Sequence, residues 1–409
     1  MKTFGRRALT AIGALLLTTS CGIAGHPVEA GPAQHLDTGN YDTAPLIEPV
    51  TQDGKYGKII ESMRMGEAII DPVVADPEAK YSLGVGIAVL PTPDYAALRL
   101  GAAVRSVLEQ ERMLAGFWTG GSDTAGSTAQ IGRMHRVSVV LLRFPDDATA
   151  QRAAAGIDTA DAAVSPENVA APIPGYDAAH SHRRPDVPTL ASTLAHGSYV
   201  VSLFIQLPST DLTALTDVAA KAFAAQLPLL DTFAATPADQ FASLPLDRDG
   251  MLRRTQPNTP GQWPYPVLSS VPEFLGASWD NPIIDSGVIL GRNAIHLKYD
   301  RTTPGDLTAD AFAKVGLGGV LRFADATAAR KYISHTPDPT KYRLTEVPAG
   351  VPDARCIEDL GTGADTREVK YSCKILVHRY VGFVIGGDLP DLLRKTAAQY
   401  LLLIAADTK

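Results

Sequence analysis

The segment Leu142-Arg-Phe-Pro-Asp-Asp-Ala-Thr-Ala-Gln-Arg152 returns as Leu321-Arg-Phe-Ala-Asp-Ala-Thr-Ala-Ala-Arg330, one Asp shorter. The match continues. His196-Gly-Ser-Tyr-Val-Val-Ser-Leu-Phe-Ile parallels His378-Arg-Tyr-Val-Gly-Phe-Val-Ile, and the helix-like run after Asp211 parallels the one after Asp388. Leu142 and Leu321 are 179 residues apart, His196 and His378 are 182, and Asp211 and Asp388 are 177. Constant order at near-constant spacing marks an internal duplication. Each copy reads strand–helix–strand–strand–helix. The fold expected is α+β: two related domains, each an antiparallel sheet with helices packed on one face.

Local chemistry supports the reading. Asp146 or Asp147, and Asp325, stand where a carboxylate takes unpaired first-turn amides of a helix, so capping explains them without catalysis. The copies differ in front. The first opens with expected helices over 58–70 and 95–117, the latter striped by Leu98, Leu100, Val104, Val107, Leu108 and Leu114. The second opens with Val288-Ile-Leu-Gly, an alternating strand-like run over 294–299, and an expected short helix over 308–315.

The N-terminus reads as an address. Lys2, Arg6 and Arg7 precede an apolar stretch from Ala8 to Leu17, and Thr18, Thr19 and Ser20 lead into Cys21. This is the layout of a secretory signal peptide. A Cys at that place resembles the bacterial lipobox, although Thr18 stands where Leu is usual and Leu17 lies one residue further out. Residues 1–21 are therefore expected to be a lipoprotein signal peptide. Lipidated Cys21 would anchor the chain on the outer face of the cell membrane, since two or more acyl chains hold stably. Arg6-Arg7 leaves both the general secretory and the twin-arginine routes open. The rest divides into a flexible tether (22–54), a first α+β domain (55–233), a linker rich in Pro, Asp and Gln (234–266) and a second α+β domain (267–409). Cys356 and Cys373 remain as an even pair. They are read as a disulfide across a hairpin in an oxidising compartment, with a reactive or metal-binding thiol pair as the rival.

The leader, the segment Leu36-Asp-Thr-Gly-Asn-Tyr, the Arg64-Met65 and Arg112-Met113 pairs and the two Leu-Arg-Phe repeats together resemble the two-domain lipoproteins of unknown function found in actinobacteria such as Nocardia and Rhodococcus. More distantly, the strand-then-helix ending of each copy resembles the extracellular sensor domains of mycobacterial receptor kinases. The resemblance implies an envelope location and brings no activity with it.

Chemistry is sparse. No GxSxG elbow, Ser-x-x-Lys, HExxH or Walker loop occurs in the sequence. Gly120-Gly-Ser122-Asp reads as a turn rather than a nucleophile site. His180 and His182, at i and i+2, would share a strand face, and Arg183 and Arg184 follow, suited to an anionic headgroup or phosphate. His196 and His378 read as structural, with pH sensing as the rival. Trp118 and Trp279 read as core or rim. Trp263, within Pro-Gly-Gln-Trp-Pro-Tyr-Pro, is a candidate ligand contact. A net charge of -7 argues against nucleic acid. No metal or cofactor is implied. The expected work is binding or sensing of an envelope ligand, lipid, glycolipid or partner protein. The alternatives are an envelope hydrolase or transferase without a recognisable motif, and a structural interaction module.

Overall fold

The computed structural model describes residues 36–125, 131–271, 281–300, 307–361 and 369–407. The signal peptide, Cys21, residues 22–35, Trp279 and the middle of the segment joining Cys356 to Cys373 lie outside them.

The first half begins with helix α1 (Gly54–Met65), strand β1 (Tyr81–Val89), helices α2 (Pro93–Leu100) and α3 (Arg105–Gln110), then β2 (Ala115–Ser122) and β3 (Arg136–Arg143). Helix α4 (Asp147–Ala162), β4 (Val169–Ala170), β5 (His180–Arg183), β6 (Thr189–His196), β7 (Tyr199–Gln206) and α5 (Leu212–Thr232) complete it. The second half runs β8 (Val267–Val271), β9 (Asn281–Gly291), α6 (Arg292–Ile295), β10 (Ala311–Val315), β11 (Gly318–Arg322) and α7 (Ala326–Ser334). It continues through β12 (Tyr342–Leu344), β13 (Ala354–Asp359), β14 (Tyr371–Val377), β15 (Tyr380–Gly386) and α8 (Leu389–Asp407).

The duplication is written into the strand order. The first sheet runs β1-β2-β3-β7-β6-β5-β4, and the second β12-β13-β14-β15-β11-β10-β9-β8. Read from β9 to β12, the second sheet repeats the first strand for strand, and β8 is added at its edge. All the pairings are antiparallel. The Asp caps fall as read. Asp146 accepts from the Thr149 amide at 2.7 Å, and Asp325 from the Ala328 amide at 2.8 Å. Each such cap contributes about 1 kcal/mol.

Alternation along the strands decides what each sheet face meets. Phe117, Val139, Leu141, Val201 and Leu203 face a core completed by α1 and α5. Trp118, Val140, Leu142 and Val200 face the other way, into a core completed by the α2–α4 helices. The first sheet is thus covered on both faces. The larger core does not stop at the first half: Val288, Leu290, Ala294, Ile295, Leu297, Phe312 and Phe323 belong to it. The halves are fused along a seam where α1 and β1 meet β9 and α6.

Several sequence expectations change here. The run 294–299 is helical, not a strand: α6 continues into a π turn over His296–Asp300. Its first turn is capped from the other half, because the Glu67 carboxylate accepts from the Asn293 and Ala294 amides, each at 3.1 Å. The expected helix over 308–315 is instead strand β10, held between β9 and β11. The long helix expected over 95–117 breaks at Gly101, whose φ of 102° leaves the helical region, and its tail becomes β2. Ser122 lies on that strand, and its hydroxyl donates to the Thr124 carbonyl, so Gly120–Ser122 is no turn.

The stretch 36–53, within the expected tether, lies against the second half and the linker. Tyr41 donates to Asp391 at 2.7 Å, Arg394 to Asp37 at 2.9 Å, and Glu48 accepts from the Leu246 amide at 2.7 Å. The expected linker is packed as well. Phe241, Leu246, Met251 and Leu252 are buried, and the Gln256 amide bonds Gln399 at 3.0 Å. Trp263 packs against Met251, Leu252 and their neighbours.

Helix α1 and the packed linker segment, residues 234–266 and hereafter the strap, touch closely. A Cβ on Gly57 would lie 1.9 Å from the Phe241 carbonyl oxygen. Gly57→Ala is therefore expected to lower stability by roughly 1–3 kcal/mol, outweighing the helix-propensity gain of Ala. Thermal unfolding checks this; an unchanged or raised midpoint would contradict the close approach.

Candidate functional site

The cysteines and serines of the two sheets occupy equivalent places. Ser181 stands opposite Ser192 in the first sheet, and Cys356 opposite Cys373 in the second. The serine hydroxyls bond each other at 2.7 Å, and the cysteines form a disulfide. The first copy closes this strand pair with a hydrogen bond where the second uses a covalent one. The disulfide reading of the sequence stands.

The two histidines matched by sequence are one position out of register. His196 pairs with Tyr199, whereas Val377 pairs with Tyr380, so His378 corresponds to Gly197. His378 adopts φ 51° in the turn where Gly197 has φ 53°. Both histidines nevertheless tie their hairpin to the end of the last helix: His196 bonds Asp231 at 2.6 Å and His378 bonds Asp407 at 2.8 Å.

The His180–Arg184 cluster separates. His182 turns into a cavity on the α4 side of the first sheet and is 8% exposed. His180 is exposed and takes no part in the lining. Arg183 donates to the Thr210 carbonyl, and Arg184 forms an ion pair with Glu167 at 3.1 Å. The four therefore do not converge on one ligand. Trp263 lines none of the cavities described here.

The cavity beside His182 holds about 110 Å³. Its floor carries the hydroxyls of Ser138, Thr193 and Ser202 from three adjacent strands. Asp158 and Asp161 of α4 sit over it, with Arg99 of α2 and Arg136 of β3. Asp158 bonds His182 Nδ1 at 2.7 Å, and Asp161 lies 3.5 Å from Nε2. Burial pushes the Asp161 carboxyl above the usual carboxylate range; His182 pulls it down and Asp158 pushes it up. The Arg99 guanidinium lies 3.8 Å from the Trp118 ring centre, and that of Arg136 lies 5.1 Å from the Phe204 ring centre. Stacking on fixed rings holds both cations in place.

Sequence reasoning found His182 and missed the rest. The available signal was Asp158 and Asp161 at i and i+3 beside buried Ile157 on an Ala-rich helix, which puts both acids on one face.

The seam holds two further cavities along α1. One, of about 230 Å³, is apolar, lined by Ile60, Met63, Leu244, Val288 and Ile289 with Arg64 and Arg248 among them. The other is a more open groove of about 620 Å³ between Tyr56, Lys58 and Tyr95 of the first half and Tyr265–Leu268 of the second. Tyr56 and Tyr265 stack across it, ring centres 5.1 Å apart.

Family models match both halves. Residues 48–246 fit the domain of unknown function DUF7373, N-terminal, and residues 277–406 fit its C-terminal counterpart. The chain belongs to the DUF7373 family. The boundary between the two DUF7373 models, 246–277, falls at the strap and β8, where the first copy gives way to the second. No curated protein and no solved structure matches the chain. Among the described residues no helix is long and apolar enough to cross a membrane.

Proposed function

We propose that the chain is an exported, lipid-anchored envelope protein that binds an amphiphilic envelope ligand at the seam between its halves. Residues 1–21 carry the leader and Cys21 the anchor. One observation carries the binding part. The 620 Å³ groove, within the usual size of small-molecule sites, and the apolar 230 Å³ cavity lie against the same helix, each lined from both halves. The apolar cavity suits a short stretch of acyl chain. The groove, with the Lys55 ammonium 4.7 Å from the Tyr56 ring centre and Lys58 beside it, suits an anionic head.

Native mass spectrometry of the protein purified from a host that exports it, followed by lipid extraction, tests the reading. A co-purifying amphiphile of defined mass is expected. Its occupancy should fall several-fold in the double charge reversal Lys55→Glu, Lys58→Glu. A clean apo mass from such a host would overturn ligand carriage and leave a protein-interaction module. Cys21→Ala should release the protein from membranes; retention would overturn the anchor.

A further inference from the structure

Among the described residues the two most exposed large apolar side chains are Val50 at 97% and Ile47 at 92%. Both lie in the stretch that leads into α1. Exposure there falls on every third residue, Ala44, Ile47 and Val50, while Leu46, Glu48 and Pro49 are half-buried. A chain that turns once in three residues, as proline favours, puts such a series on one face, and Pro45 and Pro49 stand within this one. Glu48 points the other way. Its carboxylate accepts from the Leu246 and Asp247 amides at 2.7 and 3.2 Å, which pins the stretch with its apolar stripe outward.

The stripe borders the seam groove. Val50 precedes the N-cap Asp53 by three residues and the groove residue Lys55 by five, a span of at most about 18 Å. Tyr265 and Val267, in the groove lining, are exposed as well, and Tyr265 stacks on Tyr56. Lys55 pairs with Asp53 at 2.9 Å. Lys58, in the same lining, makes no ion pair or hydrogen bond among the described residues. Apolar side chains, tyrosines and lysines on one face are what a lipid headgroup layer accommodates.

Size argues against a protein occupant. These four apolar side chains present on the order of a few hundred Å², against the ~800 Å² per partner that a stable protein interface takes. A fluid headgroup layer accepts single side chains without a shaped socket. With Cys21 as the anchor, the membrane is also in reach, because 15 residues from Cys21 to Leu36 span at most about 54 Å. Contact is then intramolecular, and a weak one suffices.

We propose that this face docks on an anionic membrane surface. Ile47 and Val50 dip among the headgroups, Lys55 and Lys58 meet lipid phosphates, and the groove lies at the bilayer surface. The inference rests on the envelope location proposed above and adds an orientation, which a tethered anchor alone does not fix.

Vesicle sedimentation tests it on the chain from Gly22 onward, which holds every described residue and no acyl chain. Vesicles of phosphatidylcholine alone are compared with vesicles of equal parts phosphatidylcholine and phosphatidylglycerol. At low ionic strength and millimolar lipid the protein is expected to bind the mixed vesicles about tenfold more strongly. Ile47→Asp with Val50→Asp should weaken that binding about tenfold. Both positions are almost wholly exposed, so the variant is expected to keep its melting temperature. Lys55→Glu with Lys58→Glu should abolish the preference for the mixed vesicles. Val164→Asp, just beyond α4 on the opposite side of the first sheet, should change nothing. No binding to either vesicle, or binding unaltered in the Ile47, Val50 variant, would overturn the proposal. A wild-type dimer that this variant dissociates would overturn it in favour of a second copy. Without acyl chains so small a contact holds only at high lipid concentration, in keeping with release of the Cys21→Ala protein. Neither Ile47 nor Val50 lines a seam cavity, so their variant should still carry the co-purifying amphiphile. A clean apo mass beside intact vesicle binding would overturn ligand carriage alone.

Discussion

Glu61→Ala is expected to destabilise the protein by about 3–5 kcal/mol, among the largest effects of any single substitution here. Glu61 is fully buried on α1. One carboxylate oxygen accepts from Arg143 at 2.7 Å and from the Thr236 amide at 3.0 Å. The other accepts from Arg64 at 2.6 Å and from the Thr236 hydroxyl at 2.8 Å. Four donors from α1, β3 and the strap thus converge on one carboxylate. Arg143 is the repeat arginine, and its side chain is 9% exposed. Removing Glu61 leaves that cation buried without its counter-charge, and the desolvation penalty then stands unopposed. Arg64, 28% exposed, would recover part of its hydration, so Arg64→Met should cost distinctly less. Denaturant unfolding followed by fluorescence reads the difference. The double variant Glu61→Leu, Arg143→Met should recover most of the loss, because an apolar pair removes both charges together. A loss under about 1 kcal/mol for Glu61→Ala would show that water reaches the network in solution.

Removing the disulfide is expected to cost about 3 kcal/mol. Cys356 and Cys373 are separated by 17 residues, and a loop of that length contributes about this much by restricting the unfolded chain. Both residues are 1% exposed and belong to the core formed with Ile375, Val384 and Leu392. The paired variant Cys356→Ala, Cys373→Ala avoids leaving a buried hydroxyl. Its melting temperature should fall under non-reducing conditions. Reductant should lower wild type toward the variant and leave the variant unmoved. Equal melting temperatures without reductant would mean the bond adds no stability. The first half offers an internal comparison, since Ser181 and Ser192 hold the equivalent strand pair without a covalent link.

Local chemistry made part of the fold legible. Asp146 and Asp325 cap their helices because a carboxylate beside three free amides needs nothing from elsewhere in the chain. The run 294–299 misled for the opposite reason. Its alternation suits a strand, yet Glu67 caps it as a helix from 226 residues away. The run 308–315 misled similarly: its alanines favour helix, but β9 and β11 offer a buried ladder on both sides. At the polar cavity His182 was visible as part of a cluster. Its acids were not, because Asp158 and Asp161 read as ordinary surface positions until β5 is placed beneath α4.

The sequence by itself determined the duplication, the helix caps and a two-part architecture, and pointed to the pairing of Cys356 with Cys373. Each of these depends on neighbours in the chain or on comparison of one copy with the other. The tertiary structure alone decided that residues 36–53 of the expected tether and the linker are packed, that Glu67, just after α1, caps α6 across the seam, and that opposite charges share one small cavity in the first copy. Those features arise where segments from 24 to more than 200 residues apart in the chain are brought into contact. There burial sets the energy of a charge far more strongly than its sequence neighbours do.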